Sequence, residues 1–214
     1  IKLEQELAGF AVTLAEDHAS FHALLQQLCE INLGATAIGT GIAADPRFAE
    51  PARAHLAAIT GRPIVTARNL IEATTDVGVF MDLSAALKRS AIKLSKICND
   101  LRLLSSGPQA GFGEINLPPR QAGSSIMPGK VNPVIPEAVN QVAFVVAGND
   151  VTLTMAAEAG QLQLNAFGPV IAHVLFESLQ WLTAAMTTLR ENCITGITAN
   201  VQRLASQTTS FVGV

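Results

Sequence analysis

From Phe80 to Leu104 the apolar positions run Phe80, Leu83, Leu87, Leu94, Ile97, Leu101 and Leu104, with Ser90 filling the one remaining place in the series. The gaps alternate three and four without a break. Only an α-helix gathers such residues onto one face, because a strand would need period two. A repeat this close to 3.5, kept up over so many turns, also demands other helices to cover that face. Ser105-Ser106-Gly107-Pro108 then supplies a stop.

The same spacing recurs elsewhere. Leu7, Phe10, Leu14, Phe21, Leu24, Leu28 and Ile31 form a stripe interrupted only by Asp17, which predicts a helix from about Glu4 to Leu33. At ~1.5 Å per residue it would be roughly 45 Å long. Gly34, Gly39 and Gly41 mark its end. Residues 42–66 read as irregular, with Pro46, Pro51 and Pro63 around a short helix near Ala52–Ile59. A further helix has Pro136 in its first turn, where a missing N–H costs nothing, and runs past Gly148 to about Gln163. Its segment Val139–Ala147 is apolar almost all round, which predicts burial on every side. The last long helix starts near Pro169 and carries Ile171, Leu175, Ser178, Leu182, Ala185 and Leu189 at 4-3-4-3-4 spacing. No internal repeat, low-complexity tract or β-hairpin signal is present. The fold class is therefore all-α, an elongated bundle of long helices.

Charged residues make up 14% of the chain, against roughly 25% in an average soluble domain, and mean hydropathy is +0.36. A monomer so poor in charge leaves apolar helix faces in water, so the helices are covered either by lipid or by other subunits. Lipid fits badly. The longest uncharged stretch, Ala159 to Phe176, contains Gln161, Gln163, Asn165, Gly168-Pro169 and His173, which argues against a membrane span. No signal-peptide pattern opens the chain. Burial between subunits is the better account. A net charge of −3 with no basic run gives nucleic acid no electrostatic footprint. Cys29, Cys98 and Cys193 are odd in number and lack metal or redox spacing, as expected of reduced thiols in a cytoplasmic protein. His18, His22, His55 and His173 have no partners at metal or triad spacing and read as structural or surface residues. Gly39-Thr40-Gly41 has no preceding strand and reads as a helix-ending turn, not a phosphate loop. The chain opens at Ile1 without methionine and ends in apolar Phe211-Val212-Gly213-Val214, as expected of a segment from a longer protein.

Residues 107–133 form the one long loop, and loops of this length are usually functional or disordered. Its last part reads Gly123-Ser124-Ser125-Ile126-Met127-Pro128-Gly129-Lys130-Val131-Asn132-Pro133. Pro133 pushes Asn132 towards an extended backbone, and Gly129 can take positive φ, so the loop can fold sharply over a ligand. Lys130 offers a compact cation and Asn132 a neutral donor, two partners suited to one carboxylate. The following helix N-terminus favours an anion as well. Ser124 and Ser125 are the loop's candidates for nucleophile or base. A serine oxyanion needs several donors and a cation around it, and glycine beside two serines lets backbone N–H groups converge. Glu137, just inside the helix, could orient a histidine, although an acidic residue in a first helical turn is also explained by the dipole alone.

This eleven-residue run resembles the signature of the fumarase/aspartase superfamily, cofactor-independent lyases that release fumarate from succinyl-type substrates. The likeness extends to Asn32–Gly41, Ser95–Pro108 and Ala157–Asn165. Val134–Gln141, Met155–Gln161 and Gly196–Asn200 are similar to the aspartase branch, where class II fumarases typically carry a Thr-Gln-Cys-Glu-Ala-type run after the signature. The resemblance implies that residues 1–214 are a central helical-bundle domain, with the family's N-terminal and small C-terminal domains lying outside this chain. It implies Ser124 as the base that removes the Cβ proton of L-aspartate, Lys130 and Asn132 as holders of a substrate carboxylate, Ser125 and Met127 as lining residues, and Glu137 as support for a partner histidine. It implies no cofactor and no metal in the site. It further implies a homotetramer in which three segments from three subunits build each active site, of which this chain supplies the third. Residues 1–214 alone are then expected to be inactive. The alternatives are a class II fumarase or another succinyl-substrate lyase, and, in a different class, a non-catalytic helical assembly module.

Overall fold

The computed structural model describes residues 2–121, 123 and 125–210. In chain order the elements are α1 (Leu3–Gln27), β1 (Glu30–Ile31), α2 (Ala49–Thr60), β2 (Val65–Thr66), α3 (Glu72–Thr75), α4 (Gly78–Leu104), β3 (Ile115–Asn116), α5 (Val134–Glu158), α6 (Gly168–Asn192), a 3₁₀ turn (Ile194–Gly196), β4 (Thr198–Ala199) and α7 (Val201–Ser210). Long helices dominate and each strand is two residues long, so the chain is all-α.

Two compact units are present. The first takes residues 1–89 and 148–178, the second residues 90–147 and 179–214. α4, α5 and α6 each contribute to both.

In the first unit, Leu87, Leu153, Ile171 and Leu175 are buried, so the stripes of α4 and α6 face a core as their spacing requires. Polar residues are buried there too. Ser84 donates to Asp150 Oδ1 at 2.8 Å, and Lys88 pairs with the other carboxylate oxygen. Asn149 donates to Glu177 at 2.8 Å and to Ser178 at 3.1 Å. Asp17, the residue that breaks the α1 stripe, is buried and accepts from Arg89 Nε at 3.0 Å. The interruption is thus a buried ion-pair position opposite α4.

α1 ends at Gln27, not at Leu33 as its stripe predicts. Glu30 and Ile31 pair in parallel with Val65 and Thr66, and the Val65 N–H donates to Cys29 O at 2.9 Å. Backbone bonds to a distant strand displace the last helical turn, while Ile31 keeps its apolar place in the spacing. Gly34, Gly39 and Gly41 have φ of +92°, +83° and +68°, so the expected turn is present, but it follows β1 and does not end the helix. α5 ends at Glu158, five residues short of the expected Gln163. There Gln161 and Leu164 exchange backbone bonds, and Asn165 Nδ2 donates to the Ala156 carbonyl at 3.0 Å, closing the helix end.

In the second unit Leu94, Ile97 and Leu101 of α4, Val139, Ala143 and Val146 of α5, and Leu182, Ala185 and Leu189 of α6 are buried. The expectation that Val139–Ala147 is covered on every side is not met within the chain. Phe144 is 65% exposed and Val145 is exposed as well, so α5 has one covered face and one open apolar face. Among the described residues no helix is long and apolar enough to cross a membrane.

Candidate functional site

The long loop has two dissimilar parts, both in the second unit. Residues 107–120 are tied down. Ile115 and Asn116 pair antiparallel with Ala199 and Thr198. Glu114 N–H donates to Leu104 O at 2.8 Å, and Asn200 N–H donates to Glu114 O at 2.8 Å. Arg203 donates to the carbonyls of Phe112 (3.1 Å) and Gly111 (2.8 Å), and Arg120 to that of Asn192 (3.1 Å). No pattern in residues 107–120 announces this pairing, because two-residue strands are too short to show alternation.

The signature segment follows. Ser124 lies outside the described residues. Gly123 packs so closely on the other end of the segment that a Cβ there would stand 2.5 Å from Lys130 O and 2.9 Å from Lys130 Cβ. Met127-Pro128-Gly129-Lys130 makes a tight turn, with the Lys130 N–H donating to Met127 O at 3.2 Å and Gly129 at φ +80°. Proline second and a positive-φ glycine third are the marks of a type II turn. The positive φ expected of Gly129 is therefore present. Ser125 and Met127 are exposed, and Ile126 is 86% exposed. Lys130 and Asn132 are half-buried, two residues apart. Asn132 lines a narrow crevice with Arg120 and Asn192. Beneath Gly129 and Val131 lies a second pocket of about 170 Å³, lined by Ser105, Ser106, Asn116 and Asn200.

Glu137 sits half-buried in the first turn of α5, and its N–H donates to Pro133 O at 3.1 Å. Its carboxylate lies 3.6 Å from Arg102 of α4. The structure therefore gives Glu137 a cationic partner that inspection of the loop missed. Arg102 also donates to Asn140 Oδ1 at 3.3 Å and to Asn99 Oδ1 at 3.4 Å. Asn140 in turn donates to Ser95 O (3.0 Å) and Ser95 Oγ (2.7 Å). Asn140, set with Gln141 in the otherwise apolar run Val139–Ala147, was the available signal, since a buried amide requires partners.

The four histidines are exposed, and no metal-holding group of His, Cys, Asp and Glu occurs among the described residues. The three cysteines are free and buried. Burial pushes the Cys98 thiol up to about 12 and the Cys193 thiol to about 11, so neither is a thiolate nucleophile near neutral pH.

Residues 1–148 match a family model described as lyase. Aspartate ammonia-lyase from Pseudomonas aeruginosa is 64% identical over 202 residues, covering 94% of this chain and 43% of that protein. The aspartate ammonia-lyase of Escherichia coli is 55% identical over 212 residues, 99% of this chain and 44% of that one. Among solved structures, fumarate lyase:delta crystallin from Brucella melitensis bound to cobalt matches with TM-score 0.94 and 55% identity, over 96% of this chain and 45% of that chain. A class II fumarase from Schistosoma mansoni matches with TM-score 0.90 and 32% identity, over 95% and 46%. The chain spans less than half the length of each of these relatives.

Proposed function

The chain belongs to the lyase family, within the fumarase/aspartase superfamily, and from that premise we propose that the protein containing it is an aspartate ammonia-lyase, deaminating L-aspartate reversibly to fumarate and ammonia. One observation carries the choice of leaving group. Identity to aspartate ammonia-lyases is 55–64% over at least 94% of the chain, against 32% to a class II fumarase.

In this reading Ser124, as an alkoxide, takes the Cβ proton of L-aspartate. The electron pair moves into the β-carboxylate to form an enediolate. Its collapse expels the amino group as ammonia and leaves fumarate. Lys130 and Asn132 hold a substrate carboxylate, where positive charge and a neutral donor stabilise the enediolate more than the ground state. Their spacing after the Met127–Lys130 turn supports that role, as both side chains leave the same short extended stretch beside the α5 N-terminus. Ser125 and Met127, exposed in the chain alone, line the substrate once other subunits close the site. Glu137 supports a histidine from a neighbouring subunit. The working form is a cytoplasmic homotetramer that needs no cofactor. Residues 1–214 by themselves then lack two of three site segments and do not form fumarate.

The full-length protein should release fumarate, followed by its ultraviolet absorbance, from L-aspartate and not from L-malate. Turnover of malate alone would sink the aspartase reading in favour of a fumarase. Ser124→Ala should lower kcat by about 10²–10⁴-fold, the usual worth of a general base, with fold and assembly kept. An unchanged kcat would favour a non-catalytic assembly module.

A further inference from the structure

We propose that Arg102 is a positioning residue for the reaction, acting through Glu137. The idea rests on the reading of the signature loop given above. The guanidinium of Arg102 faces three side chains: it donates to Asn140 at 3.3 Å and Asn99 at 3.4 Å, and forms an ion pair with Glu137 at 3.6 Å. Two come from α5 and one from α4, so the cation links the two helices.

An isolated Arg–Glu pair with each side chain 41% exposed would contribute little. Asn140 makes this one different. It is buried, and its amide N–H₂ is fixed by two bonds to buried Ser95, which leaves its carbonyl oxygen as the acceptor for Arg102. The orientation of Asn140 is thus set from below, and a planar fork of donors, unlike an ammonium, can serve it and a carboxylate together.

The position of the cluster matters as much as its chemistry. The chain leaves α4 at Leu104, two residues after Arg102, and enters α5 at Val134, three residues before Glu137. Arg102 therefore ties together the two stems from which the whole loop springs. Its charge also draws the Glu137 carboxylate towards α4. If Glu137 orients a catalytic histidine, Arg102 decides where that carboxylate stands.

The test is a double-mutant cycle in the full-length protein, with R102M, E137Q and the double variant, plus R102K. Fumarate formation from L-aspartate is measured for kcat and KM, and limited proteolysis within 105–133 is followed alongside. R102M is expected to lower kcat about tenfold, within the range seen for residues sharing one network, with KM changed less than about twofold. The double variant should be no slower than E137Q, R102K should recover part of the loss, and R102M should be cleaved faster within the loop. Multiplicative effects of R102M and E137Q would overturn the proposal, as would wild-type kinetics and cleavage in R102M. Should R102M fail to fold, R102K and R102Q carry the same cycle. If the wild-type protein does not turn over L-aspartate, the aspartase reading fails on its own. The cleavage comparison then decides whether Arg102 holds the loop stems, and unchanged cleavage overturns it.

Discussion

Gly123→Ala is the sharpest perturbation of the proposed site, because its effect can be worked from one distance. A Cβ at position 123 would lie 2.5 Å from Lys130 O, where ordinary contacts begin near 3.4 Å. Either Gly123 or the Lys130 backbone must retreat by about 0.9 Å, and the residue adjoining Gly123 is the proposed base. A misplacement near 1 Å costs about 10²-fold in a positioned reaction. The loop lies outside the buried core, so folding should survive. Gly129→Ala is the matched control. No atom lies within 4 Å of its added Cβ, and its cost is only the φ of +80°, about 1 kcal/mol. Steady-state fumarate formation from L-aspartate by the full-length protein should therefore fall roughly 100-fold in G123A and at most about tenfold in G129A. Equal losses in the two variants, or a G123A enzyme as fast as wild type, would refute the argument from close packing.

Two further predictions concern stability. Cys98 and Cys193 hold their protons up to about 12 and 11 in the folded chain, whereas an unfolded thiol loses its proton near 8.5. Above that pH the folded state binds more protons than the unfolded one, so stability should fall as pH rises through 9 to 11; a denaturation midpoint that rises over this interval would contradict it. The same burial should leave both thiols unlabelled by iodoacetamide in the native protein at pH 8, read by mass spectrometry. Asp150→Ala strands the buried Ser84 hydroxyl, which should cost about 1–3 kcal/mol in urea unfolding. Most of that should return in S84A/D150A, because the buried hydroxyl is then gone and half-exposed Lys88 can turn to water; an additive double variant would show that the Ser84–Asp150 bond is not the cause.

What the sequence made legible follows physical range. The α6 stripe needs only helical periodicity and a core, and all six of its predicted positions, Ile171 to Leu189, are buried. Helix ends were less legible where a distant partner sets them. The stripe of α1 runs on to Ile31, yet backbone pairing with Val65–Thr66 ends the helix before it. Nothing near Gln27 encodes that partner. The site divides in the same way. The Met127–Lys130 turn is local, and proline followed by glycine announces it. Arg102 lies just before the loop, inside the family-like run Ser95–Pro108, but its partners Glu137 and Asn140 are far along the chain, so its use depends on which face of α4 meets α5.

The open apolar face of α5 bears on the site as well as on assembly. Phe144, Val151 and Met155 are exposed, and Gly148, with no atom within 4 Å of an added Cβ, completes their series at 4-3-4 spacing. On α6 Phe176 is 70% exposed and Trp181 is 51% exposed. A helix that faced only water on that side would carry polar residues there. α5 instead has a second stripe beside its buried one, and a glycine within it permits a close neighbour. Phase explains why the sequence read as apolar all round, since two stripes on one helix leave few places for charge. The proposed tetramer covers this second stripe with neighbouring subunits. It would also settle the site, because α5 carries the Lys130–Asn132 stretch at its N-terminal end and the open stripe along its flank. In the proposed tetramer the low charge of the whole chain and the exposed flank of α5 have the same cause.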